Sequence, residues 1–361
     1  MHICLLSTEI FAWGKYGGYG RATRMIGREL AKRGIKVSAL IPLRAGQNRV
    51  EDLDGIQVFG YDIKNIRETI NIFKDCQADI YHSEEPSSAT YLVQLFHPDK
   101  KHIVTFRDTK LLSDWITEFR LPSLSKFQVF SNWLFEDNVL VHKAVRNADR
   151  CYVAANLLKI RAEKKYRLAH EPQLLPTPIF VPTKVQKAKE ATVCYLARWD
   201  RRKRPVRIID LAKAFPSVRF IIMGVGRNKK FDQELRWQMN NISNLEVIGF
   251  INQFESDQLS EILSKSWVLI NTAAREGLPN AFLEACAYQC AILSEVDPDG
   301  FASNYGFCSK GSDYITGLKY LLEENRWQKL GNIGYEYVKK VYEMNNAIDQ
   351  HIQVYNKLIE N

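Results

Sequence analysis

The sequence predicts an α/β protein of two doubly wound halves facing a cleft. Three observations carry that expectation. Short apolar runs alternate with segments of helical periodicity through nearly all of the 361 residues, the pattern of strands joined by helical crossovers. A proline-punctuated, charged stretch interrupts the alternation near the middle. The chain is also longer than one hydrophobic core usually serves.

Residues 3–7, 36–42, 80–82, 102–106 and 151–154 read as strands of the first half. Between the first two, Ala22, Met25, Ile26 and Leu30 recur at helical spacing. Pro172, Pro176, Pro178 and Pro182 then break the pattern, and 184–190 is charged, so 176–191 reads as an interdomain linker. A second alternation follows: strands at 192–197, 218–223, 245–248, 267–271 and 291–294, with helices at 205–214 and 231–240. The end of the chain, 327–359, is helical in pattern with a break near 344–346. The expected domains are therefore 1–175 and 192–340, with 341–361 as a separate terminal helix.

Composition is that of a globular protein, 46% hydrophobic and 25% charged. No apolar stretch reaches the roughly 18 residues of a membrane helix, and the first residues read as a strand rather than a signal peptide. The seven cysteines form no CxxC pair, so reduced buried thiols, no metal site and a cytoplasmic location are expected. The net charge of +9 is weighted toward residues 1–175. With the basic helix face Arg21, Arg24, Arg28 and Lys32, it is compatible with anionic ligands or peripheral contact with the inner face of an anionic membrane. No nucleic-acid motif accompanies it.

Three segments carry chemistry, each at the carboxyl end of an expected strand, where open α/β sheets bind ligands. The first is Lys15-Tyr16-Gly17-Gly18-Tyr19-Gly20-Arg21, whose glycines allow positive φ and close backbone approach ahead of a helix start suited to phosphate. It lacks the GxGxxG spacing, and no acid follows the second strand, so a dinucleotide site is disfavoured. The second is Arg198-Trp199-Asp200-Arg201-Arg202-Lys203-Arg204, where Arg198 and Lys203 offer a planar fork and a point charge to a diphosphate. The third is Glu276-Gly277-Leu278-Pro279-Asn280, with Glu284 one turn into the helix that Pro279 introduces. Each has a plainer reading: a connecting loop, a solvated basic loop, a pair of helix-start acids.

Together and in this order, these residues resemble the family 4 retaining glycosyltransferases (glycosyl transferases group 1). The Gly17-Gly18 loop, the Arg198-x4-Lys203 pair and the Glu276-x7-Glu284 motif each match the family pattern. The resemblance implies two Rossmann-like domains facing a cleft (GT-B), with the C-terminal helix crossing back to the N-terminal domain. It implies transfer of a sugar from a nucleotide-sugar donor, a UDP-sugar first and a GDP-sugar second, to an acceptor the sequence does not name. Glu284 would then bind the ribose, Glu276 the donor sugar with Gly277, Leu278, Pro279 and Asn280, and Arg198, Lys203, Gly17 and Gly18 the diphosphate. No cofactor or metal is expected. Arg107-Asp108 stands where the family often has His-Asp, and His82 where it often has His; these three are the candidates on the acceptor or sugar side. A nucleotide-sugar epimerase of the same fold and a non-catalytic nucleotide-sugar-binding protein are the competing readings. The aromatic stretch 114–133 reads either as a helix seam or as an acceptor or membrane-facing surface.

Overall fold

The computed structural model describes residues 1–14 and 16–360, with Ser312 described by its backbone alone. Lys15, at the head of the glycine loop, lies outside the described residues. The chain forms two compact units: Met1–Leu111 with Phe130–Pro178 and Met344–Asn361, and Leu112–Val129 with Ile179–Glu343.

The first unit is built on strands β1 (His2–Leu6), β2 (Lys36–Pro42), β3 (Val50–Leu53), β4 (Ile56–Tyr61), β5 (Ile80–Ser83), β6 (Lys101–Phe106), β7 (Arg150–Val153) and β8 (Gln173–Leu174). Their order in the sheet is β3-β4-β2-β1-β5-β6-β7-β8. All neighbours pair in parallel except β3, which turns back antiparallel on β4. The apolar runs of these strands are buried on both faces, as a parallel sheet requires. Ile3 and Leu5 of β1 join one core cluster while Cys4 and Leu6 join the other, the period of two that a strand imposes.

The second unit holds β9 (Thr192–Leu196), β10 (Arg219–Met223), β11 (Leu245–Gly249), β12 (Val268–Asn271), β13 (Ala291–Ser294) and β14 (Gly306–Cys308). Their order is β11-β10-β9-β12-β13-β14, parallel throughout. Again the faces alternate: Cys194 lies in one cluster, Val193 and Tyr195 in the other. The chain goes from β9 outward to β11, then returns to β12 on the other side of β9. The loops leaving β9 and β12 therefore diverge around one crevice, the topological switch point of this sheet. In the first unit the same reversal falls between β1 and β5.

Two connecting pieces are fixed by specific contacts. Lys187 places its ammonium among the carbonyl oxygens of Leu263 (3.3 Å), Tyr288 (2.5 Å) and Ser266, which ties the approach to β9 onto its own unit. The last helix, Met344–Glu360, packs Ile348, Tyr355 and Leu358 into the core of the first unit. His351 is buried there, its Nε2 3.2 Å from the Pro176 carbonyl.

Candidate active site

The loop after β9 is organised by Asp200, which is only 3% exposed. Its Oδ1 accepts the Lys203 amide at 3.0 Å, and its Oδ2 accepts Arg198 Nε at 3.0 Å and the Ser123 hydroxyl at 3.1 Å. Burial pushes this carboxyl up, but Arg198, Arg202 and Lys203 together outweigh it and hold the group below its usual range. A carboxylate at the centre of the turn thus neutralises part of a basic run that would otherwise repel itself.

The loop after β12 is bonded directly to this one. Lys203 Nζ forms an ion pair with Glu276 Oε1, both side chains being about 15% exposed (15% and 14%). Asn271, the last residue of β12, donates to the same carboxylate oxygen at 3.4 Å. Beneath the pair, the Thr272 hydroxyl donates to the Lys203 carbonyl at 2.7 Å, and the Ala274 amide to the Arg202 carbonyl at 2.9 Å. Arg204, held at φ 48°, donates to the Thr272 carbonyl at 2.7 Å and to Glu295 at 2.5 Å. Arg198 is the more open of the two expected cations, at 27%. The sequence-predicted residues Arg198, Lys203 and Glu276 are therefore gathered at the switch point of the second unit.

Gly277, Leu278 and Pro279 follow as an extended turn, and the helix Asn280–Ala287 begins directly after Pro279. Glu284 is half-buried on that helix, between the fully packed Leu283 and Ala285. The helix start and this carboxylate thus stand on the same short element that the β12 loop feeds.

The remaining predicted residues lie in the first unit. Gly17 precedes the helix Gly18–Lys32, with φ −96°. Neither it nor Gly18 adopts positive φ, which corrects the expectation from sequence. What a side chain at Gly17 would displace is the Glu9 carboxylate, whose Oε1 stands 1.8 Å from where a Cβ would lie. That same oxygen accepts the Gly20 amide at 3.3 Å, so the helix start assigned to a phosphate carries the chain's own carboxylate, favoured there by the dipole. The basic face expected on this helix is also altered, since Arg24 is buried against Asp54 at 2.7 Å.

His82 is fully buried at the end of β5. Its Nδ1 is 2.7 Å from the Tyr355 hydroxyl and its Nε2 2.7 Å from the Thr105 hydroxyl. Burial, with Arg107 nearby, lowers its pKa to about 3, so it is a neutral ring that seats the last helix. Arg107 is 6% exposed and donates through Nε to Glu84 at 2.5 Å and through Nη1 to Thr177 at 2.9 Å. Glu85 accepts the amides of Arg107 (2.6 Å) and Asp108 (2.9 Å), and burial pushes its carboxyl up to about 7. Sequence reasoning missed Glu84 and Glu85, although two consecutive acids directly after the strand Ile80–Ser83 were a visible signal.

Among the described residues no three His, Cys, Asp or Glu side chains gather so as to hold a metal ion, and no helix is long and apolar enough to cross a membrane. Residues 180–304, which include both loops of the switch point, match the family model described as Glycosyl transferases group 1. No curated protein sequence matches the chain. Solved structures do. Sucrose-phosphate synthase from Thermosynechococcus elongatus is similar over 99% of both chains, with TM-score 0.73 at 15% identity. Anabaena HepE in complex with UDP-glucose aligns over 98% of this chain and 99% of its own, with TM-score 0.71 at 11% identity. The catalytic domain of starch synthase IV from Arabidopsis thaliana, bound to ADP and acarbose, aligns over 100% and 99% with TM-score 0.60 at 12% identity. The chain has the GT-B fold, and the greater part of its second unit, residues 180–304, matches the glycosyl transferases group 1 model.

Proposed function

We propose that the chain is a retaining glycosyltransferase of family 4. It would move a sugar from a nucleoside diphosphate donor, a UDP-sugar first and a GDP-sugar second, to a glycan, lipid-linked or small-molecule acceptor. The observation that carries this reading is the Lys203–Glu276 ion pair at the switch point, with Arg198 in the same loop. HepE with UDP-glucose and starch synthase IV with ADP share the fold, which supports a nucleotide donor of this class.

The chemistry follows from charge. As the sugar–oxygen bond breaks, negative charge grows on the leaving diphosphate, and preorganised cations stabilise it most in the transition state. Lys203 is held against Glu276. A phosphate oxygen that draws the ammonium toward itself releases the carboxylate, which can then accept hydrogen bonds from the donor sugar. Binding the diphosphate and readying the sugar site are thereby one event. Glu284 would take the ribose hydroxyls. Retention would come from attack on the face the leaving group departs from, with the leaving phosphate taking the acceptor proton; no side chain is assigned as a nucleophile.

The test is incubation with a panel of nucleotide sugars, following free nucleotide and the sugar by NMR. Slow donor hydrolysis releasing the sugar with the donor's anomeric configuration is expected. An epimerised donor, an inverted sugar or saturable binding without any turnover would each overturn the reading.

A further inference from the structure

Arg202 precedes Lys203 and Arg275 precedes Glu276, so each central residue of the site has an arginine as its chain neighbour. Both guanidinium groups reach the same helix, Leu112–Arg120, which belongs to the second unit although it comes from the N-terminal half of the chain. Arg202 Nη1 donates to Glu118 Oε1, and Arg275 Nη1 lies 3.5 Å from that same oxygen. Arg275 Nε lies 2.8 Å from Asp114 Oδ1. Asp114 and Glu118 are one helical turn apart, so one face of the helix carries both carboxylates. The four charges balance, and they are nearly dry: Glu118 is 8% exposed and Arg275 9%. Just past the helix, Ser123 donates to Asp200, a second tie to the loop after β9.

The geometry points to Glu118 and Asp114 as positioning residues that latch the two site loops to one helix and so fix Lys203 opposite Glu276. This rests on the reading above that Lys203 and Glu276 serve the donor. A buried arginine–carboxylate cluster is a poor source of net stability but a strict one of geometry, because breaking it strands a buried charge. Glu118 is the sharing point, since its Oε1 touches both arginines. The latch also spends two guanidinium charges on carboxylates of its own helix.

Two measurements on the full chain test this. In hydrogen exchange without any substrate, Glu118→Gln should speed exchange about tenfold or more in peptides covering both 198–204 and 272–279, with the strands β9 and β12 unchanged; the scale is that of a local opening rather than global unfolding. Asp114→Asn, the milder variant, should loosen 272–279 and spare 198–204. In donor hydrolysis, Glu118→Gln should lower kcat by roughly tenfold or more while donor KM stays within about twofold, as misplacement of a positioned group does. In a Lys203→Ala background the same change should cost less than about twofold, because residues acting through one another are not additive. Unchanged exchange in both loops, or an undiminished loss in the Lys203→Ala background, would overturn the latch. If the unaltered protein hydrolyses no donor, the glycosyltransferase reading falls instead, and the exchange pattern alone decides the latch.

Discussion

At the scale of single residues, Glu276 and Glu284 are the same side chain in two different environments. Glu276 faces an ammonium across a largely buried pair, and Glu284 rises half-buried from a helix whose neighbouring positions are packed. We expect Glu284→Ala to weaken binding of free nucleoside diphosphate, since a lost hydrogen bond involving a charged group is worth roughly 1.5–3 kcal/mol. Glu276→Ala should not weaken that affinity, since it frees Lys203 for the diphosphate, and should abolish most transfer. Calorimetric titration of the nucleotide into each variant decides the assignment, and the reverse pattern would exchange the two roles. Lys203→Ala and Arg198→Ala should each lower kcat on the order of 10²-fold, the cost of deleting one preorganised donor, with KM moving far less. Unchanged turnover in a folded variant would remove that cation from the site. These residues were legible in the sequence because their spacing is short: Arg198, Lys203 and Glu276 lie in loops that follow strands, and Glu284 on the helix that follows. Asp114 and Glu118 were not: their partners lie far along the chain, and nothing local tells a helix acid that bonds Arg275 from one that is merely solvated.

Among the elements, the strands of the interior were the readable part. Runs such as Val268–Asn271 and Ala291–Ser294 are wholly apolar or nearly so because both faces of the sheet are covered. The hairpin Val50–Leu53 with Ile56–Tyr61 was missed, since its outer strand carries the consecutive acids Glu51 and Asp52 and turns at Asp54-Gly55, an edge rather than a core signal. The placement of helix Leu112–Arg120 with the second unit could not be read either, because chain order says nothing about which core a crossover joins. The last helix gives a pH-dependent prediction. Burial, then Arg107 for His82 and His82 itself for His351, lowers both histidine pKa values to about 3 against an ordinary 6.5. Below pH 6.5 the unfolded chain takes up protons that the folded rings refuse. The stability these neutral rings allow is therefore fully present above pH 6.5 and is lost progressively as pH falls toward about 3. Melting temperature should fall between pH 7 and 5, and His351→Gln, which can still donate to the Pro176 carbonyl, should flatten that slope. An identical slope in the variant would mean that other groups govern the acid response.

For the molecule as a whole, two similar sheets were predictable from alternation and length. The arrangement of charge within them was less so. The excess of basic residues reads in the sequence as a general anionic preference, yet many of its members are bound internally: Arg24 to Asp54, Arg107 to Glu84, Arg202 and Arg275 to the helix acids. At the switch point of the second unit stand Arg198, 27% exposed beside Asp200, and a lysine shared with Glu276. A diphosphate leaving group carries charge that must be met by cations somewhere, either a divalent ion held by clustered acids or the chain's own side chains. Here the acids nearest the loops already have partners, Asp200 with Arg198 and Glu276 with Lys203, so a divalent ion would have to displace both. We therefore expect donor hydrolysis to proceed unchanged in excess EDTA and to fall with rising salt, as screening weakens the exposed Arg198 contact more than the buried one. Activity that disappears in EDTA and returns on adding Mg²⁺ or Mn²⁺ would show that Glu276 or Asp200 leaves its cation for a metal. The roles given to Lys203 and Glu276 would then have to be reassigned.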